Sequence, residues 1–244
     1  MLVISFFVLH WYVSLFFQTF FHHRYAAHNQ FTMSHTWERI FYLLSFISQG
    51  SSYLSPYSYA VLHRMHHAHA DTELDPHSPK YDSGLMSMML RTKRIYKEIS
   101  TGEANVDEVY TKRLPNWVAL DKFADNWAVR TGWILFYTGF YFFFATQWWM
   151  YALLPLHFVM GPLHGAIINW FAHKYGYINY TTKDTSHNLM PIDIIMLGEG
   201  FHNNHHKYQR SPNFGKKWYE FDPVYPIILL MSKAGILELK RAET

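Results

Sequence analysis

Residues 131–172 read TGWILFYTGFYFFFATQWWMYALLPLHFVMGPLHGAIINWFA and contain no Lys, Arg, Asp or Glu. A helix needs about 20 consecutive, mainly apolar residues to cross the hydrocarbon core of a bilayer. The 42 residues of this stretch are therefore enough for two spans, which we place at 131–147 and 150–172. Residues 1–23 carry no charged side chain either and predict one further span, the first in chain order.

A third uncharged run, residues 40–62, does not have the composition of a span. Its centre reads Gln-Gly-Ser-Ser and Pro56 follows closely, so a spanning helix here would leave polar groups facing lipid. If the run crossed the membrane, the histidines before and after it would also lie on opposite sides. We therefore expect a re-entrant or in-plane helical segment at 40–62.

Three spans would put all 21 Lys and Arg, and all 18 Asp and Glu, on one side of the membrane. The positive-inside rule makes that side cytoplasmic. The sequence thus predicts an all-α integral membrane protein, with a single domain over 1–244 and a cytoplasmic helical cap at 63–130 and 173–244. A net charge of +3, without a basic stripe interleaved with aromatics, argues against nucleic acid as a partner.

The pattern His-x-x-His-His occurs twice, as HRMHH at 63–67 and as HNNHH at 202–206. Residues at i, i+3 and i+4 of an α-helix lie on one face, so each stretch presents three imidazoles together. The chain has no Cys, and any bound metal must therefore be held by histidine and carboxylate. Two copies of the pattern in one chain favour a metal site over scattered surface histidines.

Further candidate ligands lie in HRYAAH and NWFAH. His23 and His28 are five residues apart, which on a continuous α-helix separates them by about 140°. Either the helix ends between them or they serve different metals. Asn169 and His173 are four residues apart, on one helical face at the inner end of the last predicted span. The histidines near this membrane boundary are His23, His28, His63, His66, His67, His173, His202, His205 and His206.

Nine imidazoles in one region would repel one another if they were protonated. Neutral imidazoles, in contrast, are good ligands for cations. Nine ligands exceed the four of one structural zinc site, so two metal ions are implied. A Cys-free imidazole site at a lipid boundary points to redox-active iron and oxygen rather than to Mg²⁺ or Ca²⁺, which prefer oxygen ligands.

These segments resemble the membrane fatty-acid desaturases, specifically the stearoyl-CoA (acyl-CoA) desaturase branch of bacterial type. The resemblance covers nearly the whole chain and implies that the nine histidines bind two iron ions, with Asn169 reaching one of them through water. The matching segments are HRYAAH at 23–28, HRMHH at 63–67, DPHSP at 75–79, NWFAHKYG at 169–176 and GEGFHNNHH at 198–206.

The resemblance implies O2-dependent desaturation of a long-chain fatty acyl substrate, as acyl-CoA by the branch named above or as an acyl-lipid, with a cis double bond at a delta-9-like position. It also implies a multi-pass protein of the bacterial inner membrane whose active site faces the cytoplasm. A separate electron donor protein is expected, because the sequence has no haem-binding His-Pro-Gly-Gly, no Rossmann glycine pattern and no Cys. The residues that line the substrate site are not predicted.

Three residues outside the ligand set are candidates for orienting the imidazoles, namely Asp75, His77 and Glu199. An ordinary helix cap or salt bridge explains the two carboxylates equally well. The other histidines lack the repeated spacing and are expected outside the metal site; they are His10, His22, His35, His69, His157, His164 and His187.

Two features depart from the family pattern. The family usually has four spans, and this chain opens on the helix that leads into the first histidine segment. Where related sequences carry Thr-Trp shortly before the Asn-containing motif, this chain has His164-Gly165-Ala166. Smaller residues there are expected to alter the depth or bend of the acyl tunnel.

Two other functions would use similar residues. A di-iron fatty-acyl hydroxylase would insert oxygen instead of forming a double bond. Hydroxylases of this kind tend to have HxxxH first, and the five-residue spacing of His23 and His28 favours desaturation. A histidine-rich metal transporter or binding protein would need polar residues along a path through the membrane, whereas the ligands here lie at one boundary.

Overall fold

The computed structural model describes residues 1–240, and this part of the chain is mostly helical, as an all-α fold requires. The α-helices are α1 (Leu2–Phe17), α2 (His35–Gln49), α3 (Pro56–His69), α4 (Leu85–Thr101), α5 (Glu108–Thr111), α6 (Val118–Asp125), α7 (Trp127–Phe144), α8 (Leu154–Phe158), α9 (Met160–Ala166), α10 (His202–Lys207) and α11 (Val224–Lys233). Two π-helices continue α1 and α9, at Gln18–Ala27 and Ile167–Phe171, and two 3₁₀ turns lie at Gly50–Ser52 and Trp148–Leu153.

A small antiparallel ribbon is the one addition to the all-α prediction among the described residues. Strands β1 (Phe31–Met33) and β2 (Leu237–Leu239) pair Phe31 with Leu239. Phe31 and Leu237 are buried in the main aromatic core beside Phe20 of the first π-helix. The ribbon therefore ties the end of the described chain to the segment that carries the first histidines.

The helix Leu2–Ala27, 26 residues long, is the one helix within residues 1–240 that is long and apolar enough to cross a membrane unaided. It covers the predicted span 1–23 and runs four residues further. The prediction at 131–147 falls on α7, which begins at Trp127 and ends at Phe144. Both helices thus extend further towards the charged cap than the uncharged stretches indicate.

The predicted span 150–172 is not one continuous helix. Helical segments Trp148–Phe158 and Met160–Phe171 meet at a bend of 78°. Pro162 explains the break, because proline has no N–H to donate to the carbonyl four residues earlier and its ring clashes with that carbonyl. The carbonyl in question is that of Phe158, which instead accepts a hydrogen bond from the Ser51 hydroxyl at 3.3 Å.

Residues 40–62 lie in α2 and α3, which are joined by the 3₁₀ turn Gly50–Ser52. The polar groups of this turn contact the bend between α8 and α9: the Gly161 N–H donates to Ser52 Oγ at 3.0 Å. Gly50 has a φ of +52°, and a Cβ there would lie 1.9 Å from the Tyr137 hydroxyl oxygen, so only glycine fits. The serine hydroxyls of the 3₁₀ turn thus satisfy backbone groups at the bend between α8 and α9.

The pair formed by α3 and the first π-helix positions the histidines. Arg64 of α3 donates to the carbonyls of Ala26 and Ala27 at 3.1 and 2.7 Å, which fixes the two helices side by side. Asp121 of α6 ties the start of α3 to the core, because the hydroxyls of Tyr53 and Ser55 both donate to its carboxylate at 2.7 Å.

Candidate metal centre

The nine histidines of the sequence analysis come together in two adjacent groups. In each group the ligand nitrogens lie within 4.8 Å of one another. The first group has five members, His23, His28, His63, His67 and His205, and the second has four, His66, His173, His202 and His206. No other described histidine belongs to either group.

In both groups the Nε2 atoms converge. The Nε2 separations in the first group are 2.9 Å for His28–His63, His63–His67 and His67–His205, and 3.0 Å for His23–His205. Those in the second group are 3.0 Å for His173–His202 and 3.3 Å for His66–His206. Two nitrogens that bind one ion at about 2.1 Å and roughly at right angles are about 3 Å apart, so these separations fit metal coordination.

His23 and His28 belong to the same group because their segment is a π-helix. The His28 N–H donates to the His23 carbonyl at 3.1 Å, which is the i to i+5 bond of a π-turn. Residues five apart are therefore about one turn apart and lie on one face. This resolves the alternative that the sequence left open, since the 140° separation applies only to an α-helix.

The two His-x-x-His-His segments contribute to both groups in opposite proportions. Helix α3 gives His63 and His67 to the first group and His66 to the second. Helix α10 gives His205 to the first group and His202 and His206 to the second. The repeated pattern of the sequence thus corresponds to two helices that each bridge the two groups.

Carboxylates, three of them buried and one half-buried, contact the Nδ1 atoms of four histidines. His23 Nδ1 lies 2.7 Å from Glu199, and His66 Nδ1 lies 2.9 Å from Asp75. These two carboxylates are the ones that the sequence analysis named as possible orienting groups. A carboxylate behind a histidine ligand fixes its tautomer and its ring orientation.

Two further carboxylates, Asp71 and Asp184, were missed by the sequence analysis. Asp184 lies 2.8 Å from His206 Nδ1, and Asp71 lies 3.3 Å from His173 Nδ1. Asp71 also accepts from the backbone N–H of Thr185 at 2.6 Å. Neither residue lies in a histidine segment, and their only signal in the sequence is an acidic residue close to a ligand or in the loop between two ligands.

The donor set fits a bound cation. A neutral imidazole has one N–H, and in His66 and His206 that proton is on Nδ1, which donates to Asp75 and to Asp184. Their Nε2 atoms then both carry a lone pair, yet these atoms face each other at 3.3 Å. Two lone pairs at this distance repel unless a positive ion lies between them. The second group is therefore arranged for a metal.

Burial keeps the imidazoles neutral. It lowers the pKa of the ring well below its usual range, and the neighbouring histidines lower it further, in His28, His63, His67, His202 and His205. Burial likewise lowers the pKa of His206 to about 4. At neutral pH these rings are ligands rather than cations.

The carboxylates behind the rings are ionised. Burial alone would raise the pKa of Asp71, Asp75 and Asp184, but the histidine that each contacts, together with hydrogen bonds from nearby backbone N–H or hydroxyl groups, lowers it overall. The result is a negative outer layer around the two neutral groups, which further favours a cation at their centres.

Arg24 holds Glu199 in place behind His23. The guanidinium is fully buried and donates to Thr19 and, at 2.7 Å, to Asp222. Thr19 in turn donates to Glu199, and Arg24 itself lies 3.8 Å from that carboxylate. The first histidine segment therefore carries its own anchor for the carboxylate that orients it.

His77 and Asn169 lie beside the groups without belonging to them. The His77 ring stacks on His66 with centroids 4.3 Å apart, and both of its ring nitrogens are buried without a hydrogen-bond partner among the described residues. Its backbone N–H donates to Asp75 at 3.0 Å. Asn169 lies in the second π-helix and faces the cavity described next.

One large cavity, of about 700 Å³, borders both groups. The members of the candidate metal site that line it are His23, His63, His202 and Asn169. Its walls away from the histidines include the apolar side chains of Leu15, Ile134, Phe158, Val159 and Ile168, and its outer part includes Lys93, Lys97 and Arg130. His164, Gly165 and Ala166 line it as well, so the small residues of this segment do face the space that they were predicted to shape.

The family model described as Fatty acid desaturase matches residues 1–236, and the chain belongs to the fatty acid desaturase family. It is 29% identical over 216 residues to the Delta-9 acyl-lipid desaturase 2 of Arabidopsis thaliana, covering 88% of this chain and 67% of that protein. It is 28% identical over 220 residues to the sn-1 stearoyl-lipid 9-desaturase of Synechocystis sp., covering 88% of this chain and 64% of that protein. The chain thus spans about two thirds of the length of these relatives.

Proposed function

We propose that the protein catalyses the O2-dependent desaturation of a long-chain fatty acyl substrate and forms a cis double bond. Its family and the two groups of neutral histidines support a metal-dependent oxidation. One observation carries the proposal: a single cavity borders members of both groups and continues between apolar side chains. An acyl chain in that cavity would place its methylenes beside the converging Nε2 atoms.

Two iron ions are the proposed metals. Their ligands would be His23, His28, His63, His67 and His205 for one ion, and His66, His173, His202 and His206 for the other, with Asn169 reaching the second through water. The four-histidine group has one ligand fewer, and the Asn169 amide is of a kind that can hold a water. Bound iron would supply O2 activation and the exchange of electrons between Fe²⁺ and Fe³⁺.

The protein's own residues position the imidazoles and the acyl chain and exclude water. The four carboxylates hold the Nδ1 protons of His23, His66, His173 and His206, so the Nε2 atom of each of these rings keeps its lone pair. The apolar walls exclude water and hold an extended acyl chain. An unactivated methylene would then be held at a fixed position beside the metal site instead of reaching it by chance encounter. Because the walls away from the histidines include many apolar side chains, the position of the double bond would depend on how deep the chain enters.

The proposed reaction balances with an external donor. Two adjacent methylenes each lose one hydrogen and form the double bond, which supplies two electrons and two protons. O2 needs four electrons and four protons to become two waters. A separate electron donor protein must therefore supply the other two electrons, and solvent the other two protons.

The acyl carrier is the point on which the two comparisons differ. The motif resemblance implies acyl-CoA, whereas two relatives are named acyl-lipid and stearoyl-lipid desaturases. Lys93 and Lys97 line the outer part of the cavity, and an ammonium group there attracts the phosphate of either carrier. The names of the same relatives support the delta-9 position.

We propose a multi-pass arrangement with the histidines on the cytoplasmic side of the bacterial inner membrane. The helix Leu2–Ala27 supports one span, and the bent pair 148–158 and 160–171 supports a broken span or a re-entrant loop. Tags at the two ends are expected to be labelled from opposite faces of the membrane. Labelling of both from one face would contradict the three-span topology.

Lipid analysis of expressing cells tests the function. The protein is produced in a bacterial host, and defined acyl chains are offered as acyl-CoA to membranes and as phospholipid to reconstituted enzyme. Gas chromatography should show a new cis alkene, which His202→Ala abolishes and the exposed-site variant His35→Ala retains. A hydroxy acid would indicate the hydroxylase instead, and an unchanged profile with metal uptake would indicate a transporter.

A further inference from the structure

Two loops beside the candidate metal centre expose several large apolar side chains. The first, residues 189–200, closes on itself, because the N–H of its first residue donates to the carbonyl of its last at 2.8 Å. We call it the isoleucine loop. The second, residues 217–221, is the tryptophan loop, and a parallel bridge between Ile192 and Phe221 joins it to the first. The two loops thus form one continuous surface.

The apolar side chains of both loops point outward. Trp218 is 95% exposed and Ile192 is 58% exposed. A contiguous patch of exposed apolar side chains marks a surface that contacts a partner or a membrane. The exposed apolar members of the two loops are Ile192, Ile194, Ile195, Trp218, Tyr219 and Phe221.

All three acidic residues of the two loops turn inward. Asp193 is fully buried and accepts from two backbone N–H groups of its own loop, at 2.6 and 3.0 Å. Glu199 faces the metal centre, as described above, and Glu220 accepts from the Asn204 amide at 2.7 Å. The one charged side chain that the loops expose is Lys217. An outward surface of apolar, aromatic and cationic side chains has the composition of a membrane interface.

The isoleucine loop lies against the helix Leu2–Ala27, the first predicted span. The indole N–H of Trp11 donates to the Ile195 carbonyl at 3.2 Å. Trp11 precedes His23 by twelve residues, about 18 Å along a helix. Val8, three residues before Trp11 and on the same face, is 45% exposed. The loop therefore extends away from the metal centre to the apolar half of the span, and its surface continues the outward face of that helix.

The isoleucine loop is tied directly to α10, which supplies three of the histidine ligands. The Asp193 carbonyl accepts from the Gly198 N–H at 3.1 Å, and its carboxylate accepts from the Gly200 N–H at 2.6 Å. A Cβ at position 200 would lie 2.7 Å from that carboxylate, so glycine permits the close contact. Helix α10 begins two residues later, at His202. The position of the loop thus sets where α10 starts.

We propose that the two loops are a membrane anchor, which is inserted among the acyl chains of the cytoplasmic leaflet and holds α10 at the bilayer. Lipid is the occupant because the surface continues the outward face of a span and presents a lysine, but no acid, to the phosphates. Trp218 suits the level of the headgroups, where its ring is partly in lipid and partly in water. The inference goes beyond the proposed reaction and rests on the proposed membrane arrangement.

Spin labelling tests the insertion directly and needs no bound metal. The chain contains no Cys, so a nitroxide on one introduced cysteine reports on a single position. Ile194→Cys is the test, Val8→Cys is the lipid control, and Glu103→Cys, at an exposed site after α4, is the aqueous control. The full-length protein is reconstituted into vesicles of phosphatidylcholine and phosphatidylglycerol. Like the Val8 label, the Ile194 label should be relaxed more by O2, which concentrates in lipid, than by a water-soluble nickel chelate.

A pair of double variants tests the anchoring of α10. Ile192→Glu/Ile195→Glu should move the Ile194 label into water, because a charged side chain is costly in hydrocarbon. Iron should also leave this variant several-fold faster than the wild type when a chelator is added to the vesicles, since α10 has lost its anchor. The matched variant Ile192→Leu/Ile195→Leu keeps the apolar surface and should behave as the wild type in both measurements.

Four results would overturn the proposal. The nickel chelate relaxes the Ile194 label as strongly as the Glu103 label, or the glutamate variant keeps its iron as long as the wild type does. In the third, labels at Ile194 broaden one another through dipolar coupling, which would make the loops a contact between two copies of the chain. In the fourth, the Val8 label is also in water, so that the membrane arrangement fails with the anchor while the proposed reaction is untouched.

Discussion

His10 and His157 face each other through their Nδ1 atoms at 2.6 Å, inside the apolar part of the protein and away from both histidine groups. The Tyr141 hydroxyl lies 2.9 Å from His157 Nε2. A consistent assignment has Tyr141 donate to His157, and His157 donate to His10. The three residues thus form a hydrogen-bonded chain that connects α7, α8 and α1.

We predict that this chain stabilises the packing of these three helices. His157→Leu would leave His10 and Tyr141 without partners in an apolar environment, at a cost of about 1–3 kcal/mol in the free energy of unfolding. Denaturation of the purified protein in detergent measures the change. The triple variant His10→Leu/His157→Leu/Tyr141→Phe removes all the polar groups and should recover much of the loss. A single variant as stable as the wild type would contradict the prediction.

Asp184 is predicted to raise the metal affinity of the second group through His206. Asp184→Asn keeps the shape of the side chain but weakens the hold on the Nδ1 proton of that ring. Loss of such a carboxylate typically lowers metal affinity by about 10–100-fold. Competition with a chelator, followed by metal analysis, gives the affinity. Glu238→Gln, at an exposed site in β2, serves as the matched control and should leave the affinity unchanged.

His66→Ala and His205→Ala are each predicted to abolish activity, through different groups. His66 belongs to the four-histidine group, and His205 to the five-histidine group. Each variant should therefore hold less iron than the wild type in metal analysis of the purified protein. His35→Ala, at a mostly exposed ring, is the control. Full turnover with two irons in either site variant would rule out a shared di-iron site.

The metal-free protein is predicted to lose stability as the pH falls from about 6.5 towards 4. Burial lowers the pKa of His206 from its ordinary 6.5 to about 4 in the folded state. The unfolded chain then binds protons in this range that the folded chain does not, so acidification favours unfolding. Thermal unfolding after chelation, followed between pH 7.5 and about 4.5, should show a falling midpoint. Added metal should oppose the fall, because protons and metal compete for the same nitrogen.

Much of the candidate site could be predicted from the sequence because the histidines recur at helical spacing. The partition between the two groups could not be predicted, since it depends on which way each helix faces. The relation of His23 to His28 was open because α-helical geometry was assumed, and the π-helix changes it. Asp184 was missed because it lies 22 residues from His206, in a loop without periodic pattern.

The apolar segments were likewise predicted only in part. The length of the uncharged stretches predicted where these segments lie, but it did not predict whether each one is a continuous helix. Pro162 lies within the predicted span 150–172, and the helix breaks after Phe158, whose carbonyl lacks a helical donor and accepts from the Ser51 hydroxyl instead. The position of a proline relative to the carbonyl four residues earlier is therefore informative in a stretch that composition alone assigns to one helix.

Because α3 and α10 each supply side chains to both histidine groups, the two ions could not load independently. An ion bound by either group would fix the positions of both helices. Most of the conformational entropy that metal binding costs the other group would then already be lost. Loading would therefore be cooperative, so that partly metallated protein is scarce. Under that coupling the protein would hold metal in both groups or in neither, and seldom in one group alone.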